Sequence, residues 1–212
     1  MKRFVWILAA LALAALLAGC VGESDAPDSA ALRAQAQQAY DAGDYTKAAS
    51  ALRTVVAAAP DDAEAHFRLG RALAALGEWD GAAAEFQQVI RLSPQDADAH
   101  SNLGGIYYEQ GRLDDAVKAF RQAAILKPDD AVFHYNLGAA YAQLNRLNEA
   151  EAEFLSAKQF DPNLPEVYLG LGTVYALQGK NQQAREAFER VLALSKDPAV
   201  RAAAEQQLQL LR

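Results

Sequence analysis

The chain of 212 residues has little of the side-chain chemistry that holds a metal or a disulfide, with one cysteine, three histidines and one methionine. A single cysteine, Cys20, has no partner for a disulfide within the chain. A structural zinc site normally takes four Cys or His ligands, and no second cysteine accompanies the histidines. We therefore expect no metal site and no disulfide, and a fold stabilised by its apolar residues, which make up 52% of the sequence.

The common enzyme signatures are also missing. The sequence contains no His-Glu-x-x-His, no Gly-x-Ser-x-Gly and no phosphate-binding loop. Residues 172–180 contain glycines and a lysine, but Asn181 stands where a phosphate-binding loop has Ser or Thr. We expect no enzyme activity, no cofactor and no small-molecule substrate.

Positive charge is scarce, since 20 Lys and Arg stand against 27 Asp and Glu, giving a net charge of −7. Proteins that bind nucleic acid need cationic contacts to the phosphates, and anionic lipid surfaces attract basic segments. The balance of charge argues against nucleic acid as a partner and against a folded body that lies on anionic lipid.

A period of 34 residues is the strongest pattern in the chain. Pro60, Pro94, Pro128 and Pro162 are one period apart, and the motif His100-x2-Leu103-Gly104-x2-Tyr107, followed by Ala116-x3-Phe120, recurs at the same spacing. A fixed period of this length indicates stacked repeats. Within each unit, apolar residues at i, i+3, i+4 and i+7 predict one helix, and the spacing restarts after a glycine for a second helix.

This pattern resembles the tetratricopeptide repeat (TPR), with His where that family often has Trp. The resemblance implies an all-α solenoid of five helix-turn-helix units, with a capping helix after them. The predicted units are 29–62, 63–96, 97–130, 131–164 and 165–198, and the capping helix is 199–212.

The histidines His66, His100 and His134 are one period apart. Equivalent positions of stacked helices lie ~8–10 Å apart, which is too far for three side chains to reach one metal ion. We expect these histidines to pack at the Trp-like position.

The residue types at the predicted turns and helix ends are those that such positions favour. Left-handed backbone is predicted where each first helix ends, at Gly43, Gly77, Gly111, Asn145 and Gly179. N-caps are predicted for first helices at Asp62, Asp96 and Asp130, and for second helices at Asp80, Asp114 and Asn148. Gly70, Gly104, Gly138 and Gly172 fall inside helices, and we expect each to lie against a small residue of the facing helix (Ala82, Ala116, Ala150 or Ala184).

The N-terminus has the pattern of a secretory signal peptide, with Lys2 and Arg3, an apolar run and the residues Leu17-Ala18-Gly19-Cys20. These last four resemble the bacterial lipobox, which implies a signal peptide over 1–19 and acylation of Cys20. A plain signal peptide or an uncleaved anchor are the alternatives. Residues 20–28 then form the lipidated cysteine and a tether, whose eight residues after Cys20 reach at most ~28 Å. Without residues 1–19, 18 basic and 27 acidic residues leave a charge of −9.

The resemblance implies that the first helices line a concave groove for a partner peptide or helix. The candidate groove residues are Phe67, Arg68, Arg71, Ser101, Asn102, Tyr108, Tyr135 and Asn136. Asn102 and Asn136 stand where some family members have an asparagine ladder that binds peptide backbone. The alternatives are an inert polar surface and, for the two arginines, pairing with Glu64 or Asp98.

The function expected from these features is a membrane-anchored, protein-binding scaffold in a bacterial cell envelope, on the extracytoplasmic side. In a Gram-negative source this is the periplasmic side of the outer membrane, and otherwise the outer face of the cytoplasmic membrane. Lipoproteins of this build that assist type IV pilus or cell-wall machinery are the analogies. The alternative is a structural or self-associating subunit of an envelope complex.

Overall fold

The computed structural model describes residues 29–211, and within this range it contains eleven α-helices and no strand. The predicted signal peptide, Cys20 and the tether lie outside the described residues. The helices are α1 (Ser29–Asp41), α2 (Tyr45–Ala58), α3 (Ala63–Ala75), α4 (Trp79–Leu92), α5 (Ala97–Glu109), α6 (Leu113–Leu126), α7 (Ala131–Gln143), α8 (Leu147–Phe160), α9 (Pro165–Leu177), α10 (Asn181–Leu194) and α11 (Pro198–Leu210).

The helices stack in the order of the chain. Each odd-numbered helix from α1 to α9 packs against the helix that follows it, and each even-numbered helix packs against the first helix of the next pair. Among the first helices, α7 also contacts α5 and α9 directly. The all-α solenoid is therefore confirmed, while the exact boundaries of the units stay a prediction.

The turns within the pairs have the backbone that the sequence predicts. Gly43, Gly77, Gly111 and Gly179 have φ between 71° and 76°, and Asn145 has φ 56°. An L side chain rarely adopts this conformation, whereas glycine adopts it freely and asparagine tolerates it.

The predicted N-caps are correct for the first helices and wrong for the second. Asp62, Asp96 and Asp130 each accept a hydrogen bond from a backbone N–H in the first turn of the helix that follows. The second helices begin two residues earlier than expected, so Asp80, Asp114 and Asn148 lie in the first turn and are not the N-caps. The negative charge of Asp80 and Asp114 is still favourable there, because the N-terminus of a helix carries partial positive charge.

In the four pairs from α3–α4 to α9–α10, a phenylalanine of the second helix lies against the mid-helix glycine of the first. A Cβ atom on Gly104 would lie 2.7 Å from Phe120 Cδ1, and one on Gly172 would lie 2.6 Å from Phe188 Cε1. The nearest neighbours of these glycines are thus ring atoms and not the alanines that the sequence suggested. An alanine side chain ends at Cβ, whereas a ring extends across the helix interface and needs the space that the missing Cβ leaves.

The histidines form a repeated hydrogen bond. The Nε2 atoms of His66, His100 and His134 lie 2.9–3.0 Å from the carbonyl oxygens of Pro60, Pro94 and Pro128, and the Tyr168 hydroxyl donates to the Pro162 carbonyl at 2.8 Å. Glutamates of the second helices lie on the other ring nitrogen in two units, with His66 Nδ1 2.5 Å from Glu85 and His134 Nδ1 2.7 Å from Glu153. The side chain at this position therefore hydrogen-bonds to the turn between two units. The sequence predicted only that the histidines would pack there.

The last helix, α11, covers α10. Ala204 is buried, and Val200, Leu208 and Leu211 pack against the core. Arg201 donates to the carbonyl oxygens of Leu192 and Ser195 at the end of α10. Such carbonyls have no partner within their own helix. None of the helices between residues 29 and 211 combines the length and the apolar character that a membrane crossing requires.

Candidate functional site

Two adjoining pockets lie along the first helices of the C-terminal half. The pocket between α5 and α7 has a volume of about 430 Å³, and the pocket between α7 and α9 has a volume of about 350 Å³. Tyr108, Tyr135 and Ala139 line both, so the pockets are continuous, and we call the two together the groove. The groove spans three successive first helices.

The first pocket exists because a large side chain is missing from it. At one repeat position Phe67 and Tyr135 lie over the phenylalanine of their own second helix, with ring centroids 5.6 Å and 5.8 Å from those of Phe86 and Phe154. In α5 the same position is Ser101. Its small side chain leaves Phe120 as part of the pocket wall.

A glycine lines each pocket. Gly105 lines the first pocket, and a Cβ atom added to it would meet no atom within 4 Å. Gly170 lines the second pocket, where it lies against Phe154. At these two positions α3 has larger residues, Arg71 and Arg68.

Five of the eight candidate groove residues line the groove, namely Ser101, Asn102, Tyr108, Tyr135 and Asn136. The two asparagines do not act as equivalent rungs of a ladder. Asn102 Nδ2 donates to the Asp98 carbonyl of its own helix at 2.7 Å, whereas Asn136 Nδ2 donates to Ser101 Oγ at 3.4 Å. The groove therefore has one amide bonded to its own helix and one bonded across the α5–α7 pocket.

Arg68 and Arg71 lie apart from the groove, in a separate pocket of about 110 Å³ between α1 and α3. Arg68 forms an ion pair with Glu64 at 2.5 Å and donates to Gln37 at 3.1 Å. Arg71 donates to the Tyr40 hydroxyl at 3.1 Å and lies over the Tyr40 ring. Pairing of Arg68 with Glu64, the alternative interpretation of this arginine, is confirmed.

Phe67 also lies outside the groove. It is half-buried, and it packs on Phe86 and on the core of the first units. The geometry gives Phe67 a packing role and leaves Tyr108 and Tyr135 as the aromatic side chains of the groove.

The groove carries negative charge. Glu109 lines the first pocket and Glu166 the second, and among the described residues that line either pocket there is no Lys, Arg or His. Burial raises the pKa of the Tyr135 hydroxyl, and the nearby charge of Glu166 raises it further. A tyrosine hydroxyl is protonated at neutral pH even at its ordinary pKa, so Tyr135 can donate a hydrogen bond.

Glu166 was not among the residues expected in the groove. The sequence does contain a signal for it, because Glu64 has Arg68 four residues later, whereas Glu166 has Gly170 at that distance. In the part of the chain that the structure describes, no three His, Cys, Asp or Glu side chains are grouped closely enough to hold a metal ion.

Comparisons with known proteins agree with this architecture. One tetratricopeptide-repeat family profile matches three overlapping ranges, 33–97, 75–131 and 102–165. A second tetratricopeptide-repeat profile matches residues 165–198. No curated protein matches the sequence significantly.

Among solved structures, MamA from Desulfovibrio magneticus RS-1 superposes with a TM-score of 0.74 at 24% identity, covering 78% of this chain and 94% of that one. YrrB superposes with a TM-score of 0.70 at 17% identity, covering 89% and 97%. TTC0263 from Thermus thermophilus gives 0.68 at 23% identity, covering 86% and 100%. These similarities show the fold, and the profile matches over residues 33–198 show that the chain belongs to the tetratricopeptide-repeat family.

Proposed function

We propose that the chain is a scaffold that binds a peptide or helix of a partner protein in the groove. The observation that carries this proposal is the continuous groove across α5, α7 and α9, walled by Tyr108 and Tyr135 and widened by Ser101 and Gly105. Tyrosines at the centre of an interface are typical binding hot spots, because a large ring is buried while its hydroxyl forms a hydrogen bond. YrrB, which has the same fold, is described as a TPR protein with an unusual peptide-binding site.

The proposal extends to location. We propose that the scaffold is attached to a bacterial membrane on its extracytoplasmic side by lipid on Cys20. The support is the sequence Leu17-Ala18-Gly19-Cys20 after an apolar run. Replacing Cys20 by Ala should leave an unacylated precursor. Metabolic labelling with a palmitate analogue measures this, and unchanged labelling would rule the anchor out.

Photo-crosslinking in cells tests the groove. A benzophenone amino acid is placed at Tyr135 in one version of the chain and at Ile125, which is 64% exposed on α6, in another. A partner bound in the groove should form an adduct from position 135 and not from position 125. Adding Gly105→Trp to the first version should remove the adduct, because the indole fills the α5–α7 pocket without meeting other atoms near its Cβ.

The alternative, a structural or self-associating subunit, predicts a different result. Adducts from position 125 that persist with Gly105→Trp, and none from position 135, would show that the outer helices are the working surface. Adducts from position 135 that Gly105→Trp leaves unchanged would also contradict binding in the groove.

A further inference from the structure

Three first helices carry an acidic residue at the same repeat position in the first turn, namely Glu64 in α3, Asp98 in α5 and Glu166 in α9. The first two are paired within the chain. Glu64 bonds Arg68 at 2.5 Å, and Asp98 bonds Lys127 at 2.8 Å. Glu166 is different, because its Oε2 atom is buried and has no hydrogen-bond partner among the described residues.

A buried carboxylate oxygen without a donor is unfavourable, and the free energy improves when a donor, above all a cationic one, reaches it. Between residues 29 and 211, no side chain supplies such a group in this place. Where Arg68 follows Glu64 by one helical turn, Gly170 follows Glu166, and the ring of Phe154 lies where a side chain at this position would begin, so no guanidinium is present here.

The walls of the α7–α9 pocket suit a cation on an apolar stem. Tyr108 and Tyr135 contribute rings, while Leu169, Leu177 and Thr173 contribute aliphatic surface. Lys and Arg bury their methylene stems against such surface and keep the charged end on a polar group. Tyrosine faces attract cations, and this molecule already pairs guanidinium groups with tyrosines, with Arg112 4.2 Å from the centre of the Tyr107 ring and Arg146 4.6 Å from that of Tyr141.

The negative charge of the groove argues against an acidic segment as its ligand. Glu109 in the adjoining pocket and the net charge of −7 both repel an acidic segment and attract a basic one. The Tyr135 hydroxyl, whose pKa is raised by burial and by the charge of Glu166, is a neutral group that can donate a hydrogen bond in this pocket.

We propose that the α7–α9 pocket receives a Lys or Arg side chain of the bound partner, with Glu166 as the carboxylate that pairs with it and Tyr108 and Tyr135 as its walls. This inference rests on the proposed function of the groove. It specifies the partner as a segment with a basic residue that enters this pocket, flanked by residues that occupy the α5–α7 pocket.

The test uses the full chain purified in detergent and a random peptide library of defined composition. Peptides that bind are sequenced, and the strongest is synthesised in two forms, one with its Lys or Arg and one with citrulline, which has nearly the shape of arginine without its charge. Binding of both forms is measured to the unaltered chain, to Glu166→Gln and to Glu64→Gln. Glu64→Gln is the matched control, since it removes the same charge from the same repeat position outside the groove.

We expect enrichment of Lys or Arg at one peptide position. Glu166→Gln and the citrulline peptide should each weaken binding about tenfold or more, the two together should add little, and Glu64→Gln should change nothing beyond about twofold. Selected peptides without a basic residue, or equal losses with Glu166→Gln for the charged and the citrulline peptide, would overturn this inference while leaving groove binding intact.

Two other outcomes concern the groove as a whole. If no peptide binds, or if Gly105→Trp leaves all binding unchanged, the proposed function fails and this inference fails with it. A second copy of the chain could also occupy the groove, and sedimentation of the chain alone tests this. Self-association that Glu166→Gln abolishes would identify a second copy as the partner and would overturn the assignment to another protein.

Discussion

The first helices of the N-terminal and C-terminal halves share one repeat pattern but present different surfaces. Between α1 and α3, polar side chains bond one another across the units, as in Arg68 to Gln37 and Arg71 to Tyr40. Between α5 and α9, small residues at the same positions leave two connected pockets. The repeat positions that fold the unit are therefore separate from those that open or close a groove.

Adjacent glycines within α5 should give the largest effect. Gly104 lies against the Phe120 ring and Gly105 faces open space. Gly104→Leu should lower the free energy of unfolding by about 1–3 kcal/mol or more, because it overpacks the interface. Gly105→Ala should raise it by roughly 0.5–1 kcal/mol, because alanine favours a helix. Urea denaturation measures both, and equal melting of Gly104→Leu and the unaltered chain would contradict the packing described here.

Exchanging the residue types of the two halves at one repeat position tests this difference directly. Ser101→Tyr gives α5 the ring that α7 has at this position and fills the α5–α7 pocket, so affinity for a peptide selected on the groove should fall at least about tenfold, or about 1.4 kcal/mol. Phe67→Ser makes the opposite change in α3. It should lower stability while leaving peptide affinity within about twofold, as isothermal titration would show. A loss of binding in Phe67→Ser at temperatures where it remains folded would place the groove in the wrong half.

Breaking the histidine–glutamate pair should lower stability by a similar amount in the two halves. The difference between the halves would then be confined to the groove. Glu85→Ala and Glu153→Ala each remove a hydrogen bond from a largely buried imidazole, and each should cost about 1–2 kcal/mol of unfolding free energy. The third unit is an internal reference, since it has Ala119 at the position of these glutamates. A change in peptide affinity for either variant would show that the pairs reach the groove.

The smallest effect concerns pH and the first unit. Burial opposes the charged form of Asp62, but hydrogen bonds from Arg33 and the Ala65 N–H outweigh it, so the pKa of Asp62 lies below its ordinary value. The contribution of this group is then complete above about pH 5 and is lost as the pH falls through the lowered pKa. Since the pair is partly exposed, the difference should stay below about 1 kcal/mol. The contribution is measured by comparing the stability of Arg33→Ala with that of the unaltered chain near neutral pH and in acid below the lowered pKa. If Arg33→Ala loses the same stability at both pH values, other groups are responsible for the acid sensitivity.

The sequence predicted the helices, the left-handed turns and the N-caps of the first helices, because these depend on residues close together in the chain. Glycine at Gly111 or aspartate at Asp96 acts within one turn, so its role can be inferred locally. Which positions of the first helices face the groove also follows from the period. What the period does not specify is which of these positions is occupied by a large side chain.

The features that the sequence did not predict depend on distances between units. Phe120 reaches Gly104 only because of how closely the two helices pack, and Arg68 is paired within the chain because Glu64 and Gln37 lie within its reach. The unpartnered oxygen of Glu166 follows from the absence of a cation nearby among the described residues, and that requires the surroundings of three helices. Local sequence carries part of this signal, in Ser101, Gly105 and Gly170.

The position of each pocket at a junction between two units has a consequence for the evolution and engineering of the chain. A unit can be duplicated, deleted or moved without disturbing the contacts that fold it, since every junction uses the same kinds of helix surfaces. A pocket does not survive this, because Ser101 and Tyr135, or Tyr135 and Glu166, must come from neighbours in the right order. The fold tolerates shuffling of its units, whereas the binding site is encoded in their succession.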